Sequence, residues 1–294
     1  MNSEYNRSLY LLTVVSIIFA ILVAGVGLFY TTGGQTYDVI NQYGDAVKIY
    51  GDGLYAYDDH FFAPIFRGSD LTLLFVAIPV LVVTLLLDIR NQDVKTRLFF
   101  ISVMSIVTYH ATSIAFCVVY NSLHLAYIIL FSASLFAFII GLMSIDYKQL
   151  VKSMDHSRSY KGLYIFLGFA GVALIVAWFP DIISALPTGR PPKSISIYTT
   201  SVTNILDIGI IGPACLLSIY LMRNRIGMGY ALAAVLLTLC GYVGIMVVSQ
   251  SVFQFSAGID LPLPVIITKA ATFVVLAVFA FYFDYRFFQR FRSN

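Results

Sequence analysis

The residues whose types suggest chemistry are ionisable groups set inside long apolar runs. Asp207 follows a polar approach of Thr199, Thr200, Thr203 and Asn204, and Lys269 lies in the last apolar run. Arg67 and Asp70 stand three residues apart at the start of another run, a spacing that puts both on one helical face. His110 sits mid-run beside Tyr109, with Thr108, Thr112 and Ser113 around it. A charge at the centre of a spanning helix costs about 2.5–3.5 kcal/mol on insertion scales, so each such residue needs a partner or a task. At about 1.5 Å of rise per residue, Asp207 and Lys269 come to roughly 10 Å below the same surface. These groups predict a cavity open to the outside between helices two, six and eight. Asp207 and Lys269 form its core, Arg67 and Asp70 its rim and His110 its floor, with Tyr109 and Asn204 as further ligand-binding residues. Its occupant would be a small polar or charged ligand, or an ion. A structural ion pair of Lys269 with Asp207 or Asp70, holding helices together, is the alternative and stays open.

Other chemistries find less support. His60, His110 and His124 share no HxxxH or HxxH spacing, so no metal or haem site is expected. Cys117, Cys215 and Cys240 lie in apolar runs without a CxxC pair and read as small core residues. Glycine-rich phosphate loops and HExxH are absent, and no cofactor or catalytic set is assigned. Asp88 with Arg90, and Asp284 with Arg286, read as ordinary helix ends, and Asp260 with Pro262 and Pro264 as the turn into the last helix. The inner half of the membrane is expected to be almost purely apolar.

The elements that must position these groups follow from hydropathy. A chain of 294 residues with 59% hydrophobic and 11% charged residues and a mean hydropathy of +0.86 cannot bury its apolar surface in one soluble core. The fold class is an all-α integral membrane protein in a lipid bilayer, a single transmembrane domain over 1–294 with about eight transmembrane helices. They are expected near 9–30, 68–88, 98–120, 122–144, 162–180, 201–222, 227–250 and 263–284. The first run is too long for a signal peptide and is expected to be retained. The net charge of +3 is dispersed in short basic clusters between apolar runs, a loop pattern that speaks against nucleic acid as partner. Eight alternating spans put those clusters on one side, so the plasma membrane is the expected location with both termini cytoplasmic; Arg190 and Lys193 dissent from an outer loop. Helices two and six each carry an early Asp, then a Pro, then Arg-Asn (Asp70, Pro79, Arg90-Asn91; Asp207, Pro213, Arg223-Asn224). This suggests a four-plus-four pseudo-repeat with halves 1–150 and 151–294.

The longest polar stretch is the outer segment 31–66. Within it V-K-I-Y, Gly51-Asp52-Gly53 and L-Y-A-Y predict a small extracellular hairpin that leans on helix ends or on a partner.

A lysine in the last helix together with Arg67-x-x-Asp70 looks at first like a microbial rhodopsin. Val265 stands where that family has a carboxylate, and Trp178 is the sole tryptophan, so retinal is not expected. Four motifs carry a closer resemblance: G-L-Y-A-Y-D (53–58), F-R-G-S-D (66–70), F-S-A-S-L-F-A-F (131–138) and Y-T-T-S-V-T-N-I-L-D-I-G-I-I-G-P (198–213). Through them the chain resembles a family of uncharacterised bacterial multi-pass membrane proteins over most of its length, with no established activity to transfer. His110 departs from that family, where Asn is expected. Three function classes remain. The first is a transporter or sensor that binds a ligand or ion from outside. The second is an accessory subunit that docks a membrane protein partner through the outer segment. The third is an intramembrane enzyme on a lipid substrate with His110 as base.

Overall fold

A computed structural model describes residues 3–260 and 271–292. Lys269, Pro262 and Pro264 lie outside the described residues. Among those residues, seven helices are long and apolar enough to cross a membrane: α1 (Asn6–Phe29), α2 (Phe62–Asn91), α3 (Val94–Cys117), α4 (His124–Met143), α6 (Lys161–Thr188), α7 (Val202–Arg223) and α8 (Gly227–Ser256). A short α5 (Tyr147–Ser153) joins α4 to α6, and α9 (Thr272–Phe288) follows α8. The expected eighth span thus falls partly outside the description. Large apolar side chains such as Val83, Phe169 and Val278 are more than half exposed, as a lipid-facing surface requires.

Two helices form the centre. The apolar windows of α3 and α8 are each 67% buried, whereas the others are 33–44% buried. α8 packs against α2, α3, α7 and α9; α1 lies against α4 and α2, and α6 against α7. Lipid gives helices no hydrophobic reason to associate, so these contacts rest on close approach at small residues. A Cβ on Gly68 would stand 2.5 Å from the Cα of Gln250, and one on Gly171 2.9 Å from the carbonyl oxygen of Gly212. Neither crossing tolerates a larger side chain without moving backbone.

The bundle has a hairpin end and a basic end. At the basic end, Asp88 on α2 meets Arg97 on α3 at 2.9 Å, both with 1% exposure or less. Arg97 also donates to Asn6 and Tyr10 of α1 and to Ser144 after α4, while Tyr10 donates to Asp88 at 2.9 Å. Asp88 is therefore no ordinary helix end, and this part of the bundle is not purely apolar. A carboxylate two residues from Arg90 sits about 200° away round the helix, so Arg90 cannot reach it, whereas the α2–α3 turn folds Arg97 back onto it. Arg292 donates its amide to Ser153, and the Asp155 amide bonds the carbonyl of Arg290. Both described chain ends consequently lie at the basic end.

A π-helical turn interrupts each of two spans, Leu73–Ala77 in α2 and Asp207–Ile211 in α7. Each ends two residues before a proline, Pro79 and Pro213. Proline has no N–H and its ring crowds the carbonyl four residues back, and a wider turn relieves that clash without breaking the helix. Asp207 is the first residue of its π turn, and Asp70 lies three residues before the other.

The hairpin forms one strand earlier than expected. β1 (Tyr37–Ile40) pairs antiparallel with β2 (Ala46–Ile49), Tyr37 opposite Ile49, whereas Gly53–Tyr55 is a single 3₁₀ turn. The Gly51-Asp52-Gly53 signal has another cause. A Cβ on Gly51 would meet the Gln35 carbonyl at 2.0 Å and one on Gly53 the Tyr30 carbonyl at 2.4 Å, and both residues have positive φ. Asp52 between them accepts the amides of Thr32 and Gly33. The motif clamps the chain leaving α1.

Candidate functional site

Asp70 is fully buried in α2 near the hairpin end. Its Oδ2 accepts a 2.6 Å hydrogen bond from the Tyr55 hydroxyl, and its Oδ1 faces His110 Nε2 of α3 at 3.5 Å. That separation is an ion-pair distance but too long for a good hydrogen bond, and neither atom has a hydrogen-bond partner. Burial, then the neighbouring carboxylate, holds the Tyr55 phenol well above its ordinary value, so it remains a neutral donor. Residues 30–61, between α1 and α2, form a cap at this end, and their 3₁₀ turn drops Tyr55 onto α2. Gly27 of α1 makes the room: a Cβ there would lie 2.1 Å from Asp70 Oδ2 and 2.8 Å from the Tyr55 hydroxyl.

Arg67 does not pair with Asp70, although it lies one turn away. Its guanidinium donates to the Tyr50 hydroxyl at 2.8 Å and to the Leu28 carbonyl at 3.0 Å, and sits 5.5 Å from the Phe253 ring centroid. It ties α1, α2, α8 and the cap together above the carboxylate. Ser69, next to Asp70, accepts from Gln250 of α8 at 2.8 Å.

Asp207, 5% exposed, occupies a second centre. Trp178 of α6 donates its indole N–H to Oδ2 at 2.9 Å, and Tyr109 of α3 approaches Oδ1 at 3.4 Å. Both partners are neutral donors. The expected core partner, Lys269, lies outside the described residues. Asn204 turns its side chain to Ser201, whose hydroxyl donates to its Oδ1 at 2.7 Å, and meets Asp207 only through the backbone, its carbonyl accepting the Asp207 amide. The structure brings Asp70 together with His110 and Asp207 with Tyr109, two pairings that the sequence reading does not make. The adjacent residues Tyr109 and His110 make α3 the element common to both centres.

Above these centres the cap is fastened through a second pair of acids. Asp58 accepts the Val119 amide at 2.9 Å and the Tyr198 hydroxyl at 3.0 Å, and Asp59 accepts the hydroxyl of Ser196. Burial drives the Asp58 carboxyl up to about 7 against the opposing pull of those two donors. Asn41 in the hairpin turn donates to the Ser196 carbonyl at 2.9 Å. The cap therefore bridges the α1–α2, α3–α4 and α6–α7 connections.

Sequence reasoning missed Tyr55, Trp178, Gly27 and Asp58 as site and cap residues. Tyr55 and Asp58 do fall within the G-L-Y-A-Y-D motif, next to the F-R-G-S-D motif that contains Asp70. No group of three or more His, Cys, Asp or Glu able to hold a metal ion occurs among the described residues. Comparison with family models, with curated proteins and with solved structures finds no match for this chain.

Proposed function

We propose that this is a plasma-membrane protein that takes a proton or small cation from the outside onto the Asp70–His110 pair, acting as a transporter or sensor. The observation that carries this reading is the facing of Asp70 Oδ1 and His110 Nε2, both buried and neither hydrogen-bonded. Unpaired polar atoms in a dry helix interior are costly, and the deficit is removed when a proton or small ion sits between them. With one proton the pair is either a carboxylate beside an imidazolium or a carboxylic acid beside an imidazole. A second proton gives it one net positive charge. The 3.5 Å between the two facing atoms suits a proton or a small ion rather than a lipid substrate.

The cap lies over the pair and Tyr55 hangs from it, so entry from the hairpin end requires the cap to shift. The basic end carries Arg90, Lys95, Lys148, Lys152, Arg158, Arg223, Arg225, Arg286 and Arg290. By the positive-inside rule that end is cytoplasmic and the hairpin end is outside. Eight crossings fit the ends of the last two helices. Gln254 near the end of α8 bonds Phe61 at the hairpin end, while Phe288 of α9 packs on Phe99 at the basic end. The paired π turns before Pro79 and Pro213 support the four-plus-four repeat, with Asp70 and Asp207 as early carboxylates offset by three residues. Membership of the resembling bacterial family remains part of this proposal.

The test uses protein reconstituted in liposomes with a pH- or cation-sensitive dye inside. Wild type should respond to an imposed gradient, Asp70→Asn should not, and His110→Asn should respond at shifted pH. An unchanged response in Asp70→Asn refutes the reading.

A second reading, an accessory subunit, draws on the exposure of Tyr37, Ile40, Tyr57 and Tyr120 at the hairpin end. It predicts that replacing Tyr37 and Ile40 with Ser releases a membrane protein partner and leaves the dye response intact.

A further inference from the structure

At the basic end, α6 and α9 leave a cleft of about 120 Å³ lined by Ser159, Gly162, Tyr282, Phe283, Arg286 and Arg290. Arg290 is held in place: its guanidinium lies 4.0 Å from the Tyr160 ring centroid and donates to the carbonyls of Arg158 and Ser159. The Arg286 side chain is exposed and makes no hydrogen bond among the described residues. Neither arginine has a carboxylate at ion-pair distance there, since the basic-end pairs are Arg97 with Asp88 and Arg158 with Asp155. Two adjacent cations in a cleft with no counter-charge form a site for an anion. Their planar N–H arrays suit phosphate oxygens.

The surface leading away from the cleft defines the rest of the ligand. Val275, Val278, Phe279, Tyr282 and Arg286 recur at helical spacing and so lie along one face of α9. All but Arg286 are large apolar or aromatic side chains with exposures of 52–64%. This stripe passes from apolar residues at membrane depth, through an interfacial tyrosine, to a cation, the same order as acyl chain, glycerol and phosphate in a phospholipid.

We infer that this cleft binds the phosphate of an anionic phospholipid of the adjoining leaflet, held by Arg286 and Arg290 with its acyl chains along the exposed face of α9. The inference is independent of the Asp70–His110 reading. Arg286 supplies the adjustable charge, and Arg290 a fixed one.

The test is native mass spectrometry of the protein released from nanodiscs that mix phosphatidylglycerol and phosphatidylcholine. Wild type should retain phosphatidylglycerol preferentially. Arg286→Gln should lose about fivefold of that preference, the factor that one arginine near the surface contributes. Gly162→Leu, which fills the cleft and leaves both arginines, should lose it as well, while Arg223→Gln on the neighbouring helix should not. Equal retention by wild type and Arg286→Gln overturns the site, as does full retention by Gly162→Leu. Displacement of phosphatidylglycerol by millimolar inorganic phosphate alone would also overturn it, since the cleft would then be a phosphate site without lipid selectivity. Circular dichroism on each variant confirms that the comparison is between folded proteins.

Discussion

Asp70 Oδ1 of α2 and His110 Nε2 of α3 face each other across 3.5 Å, each without a hydrogen bond, while the other oxygen of the same carboxylate is held by Tyr55 at 2.6 Å. One half of the carboxylate is anchored and the other half is left open towards an imidazole. An anchored acid whose free oxygen faces an unbonded imidazole nitrogen is suited to sharing a proton in place.

The room for this arrangement comes from α1. Gly27→Ala should push its methyl into Asp70 Oδ2 and the Tyr55 hydroxyl, and overpacking of this kind costs about 1–3 kcal/mol. Gly25→Ala, which meets nothing within 4 Å, should leave stability unchanged. Thermal unfolding in detergent measures both; equal melting temperatures would mean that α1 does not pack as described.

The basic end rests on a different pair. Arg97→Met strands Asp88 in a site without exposure, and such a loss costs about 3–5 kcal/mol. Arg97→Met combined with Asp88→Asn should recover much of that stability, because no buried charge is then left unpaired. Arg90→Gln should have little effect, and chemical denaturation of the four proteins distinguishes these outcomes.

The cap should be sensitive to pH through Asp58. Its carboxyl is driven by burial from the ordinary 3.8 up to about 7, so the docked cap binds a proton that the undocked cap gives up. Docking is therefore strongest below about pH 4 and weakens as pH rises through 7. Hydrogen exchange at the Val119 amide, corrected for its intrinsic pH dependence, should show protection falling across that interval. Asp58→Asn should flatten the profile, and a wild-type profile already flat would exclude the effect.

Trp178, the sole tryptophan, donates its N–H to Asp207. Asp207→Leu should move the fluorescence emission to shorter wavelength, because the excited indole loses a polar acceptor. Asp284→Leu, at a carboxylate near Thr238 on α8, should leave the emission unchanged.

Much of the bundle was legible because hydropathy is a local property, and seven of the expected spans recur with ends moved by several residues. The buried acids were legible for the same reason, since a carboxylate inside an apolar run stands out. Their partners were not. By charge alone Asp207 matches Lys269, whereas the described partners of the two acids, Trp178 and Tyr109 for Asp207 and Tyr55 for Asp70, are neutral donors whose approach depends on how each helix is rotated. Asp88 shows the same limit: Arg90 is nearer in sequence, yet only the turn between α2 and α3 shows that Arg97 is its partner. The sequence reading makes V-K-I-Y the first strand of a hairpin turning at Gly51 and Gly53, whereas Val47–Ile49 belong to the second strand of an earlier one and neither glycine lies in its turn. Glycine serves equally well where one stretch of backbone passes close to another.

The central claim is that the Asp70 and His110 pair exchanges a proton or small cation within the bundle. Infrared difference spectra of the reconstituted protein, recorded between low and high pH, test this directly. Acidification should raise carboxylic C=O bands, that of Asp58 among them; one component should be lost in Asp70→Asn and shifted in His110→Asn. If wild type and Asp70→Asn give the same difference spectrum, and both show the same gradient response, the buried pair does no more than join two helices.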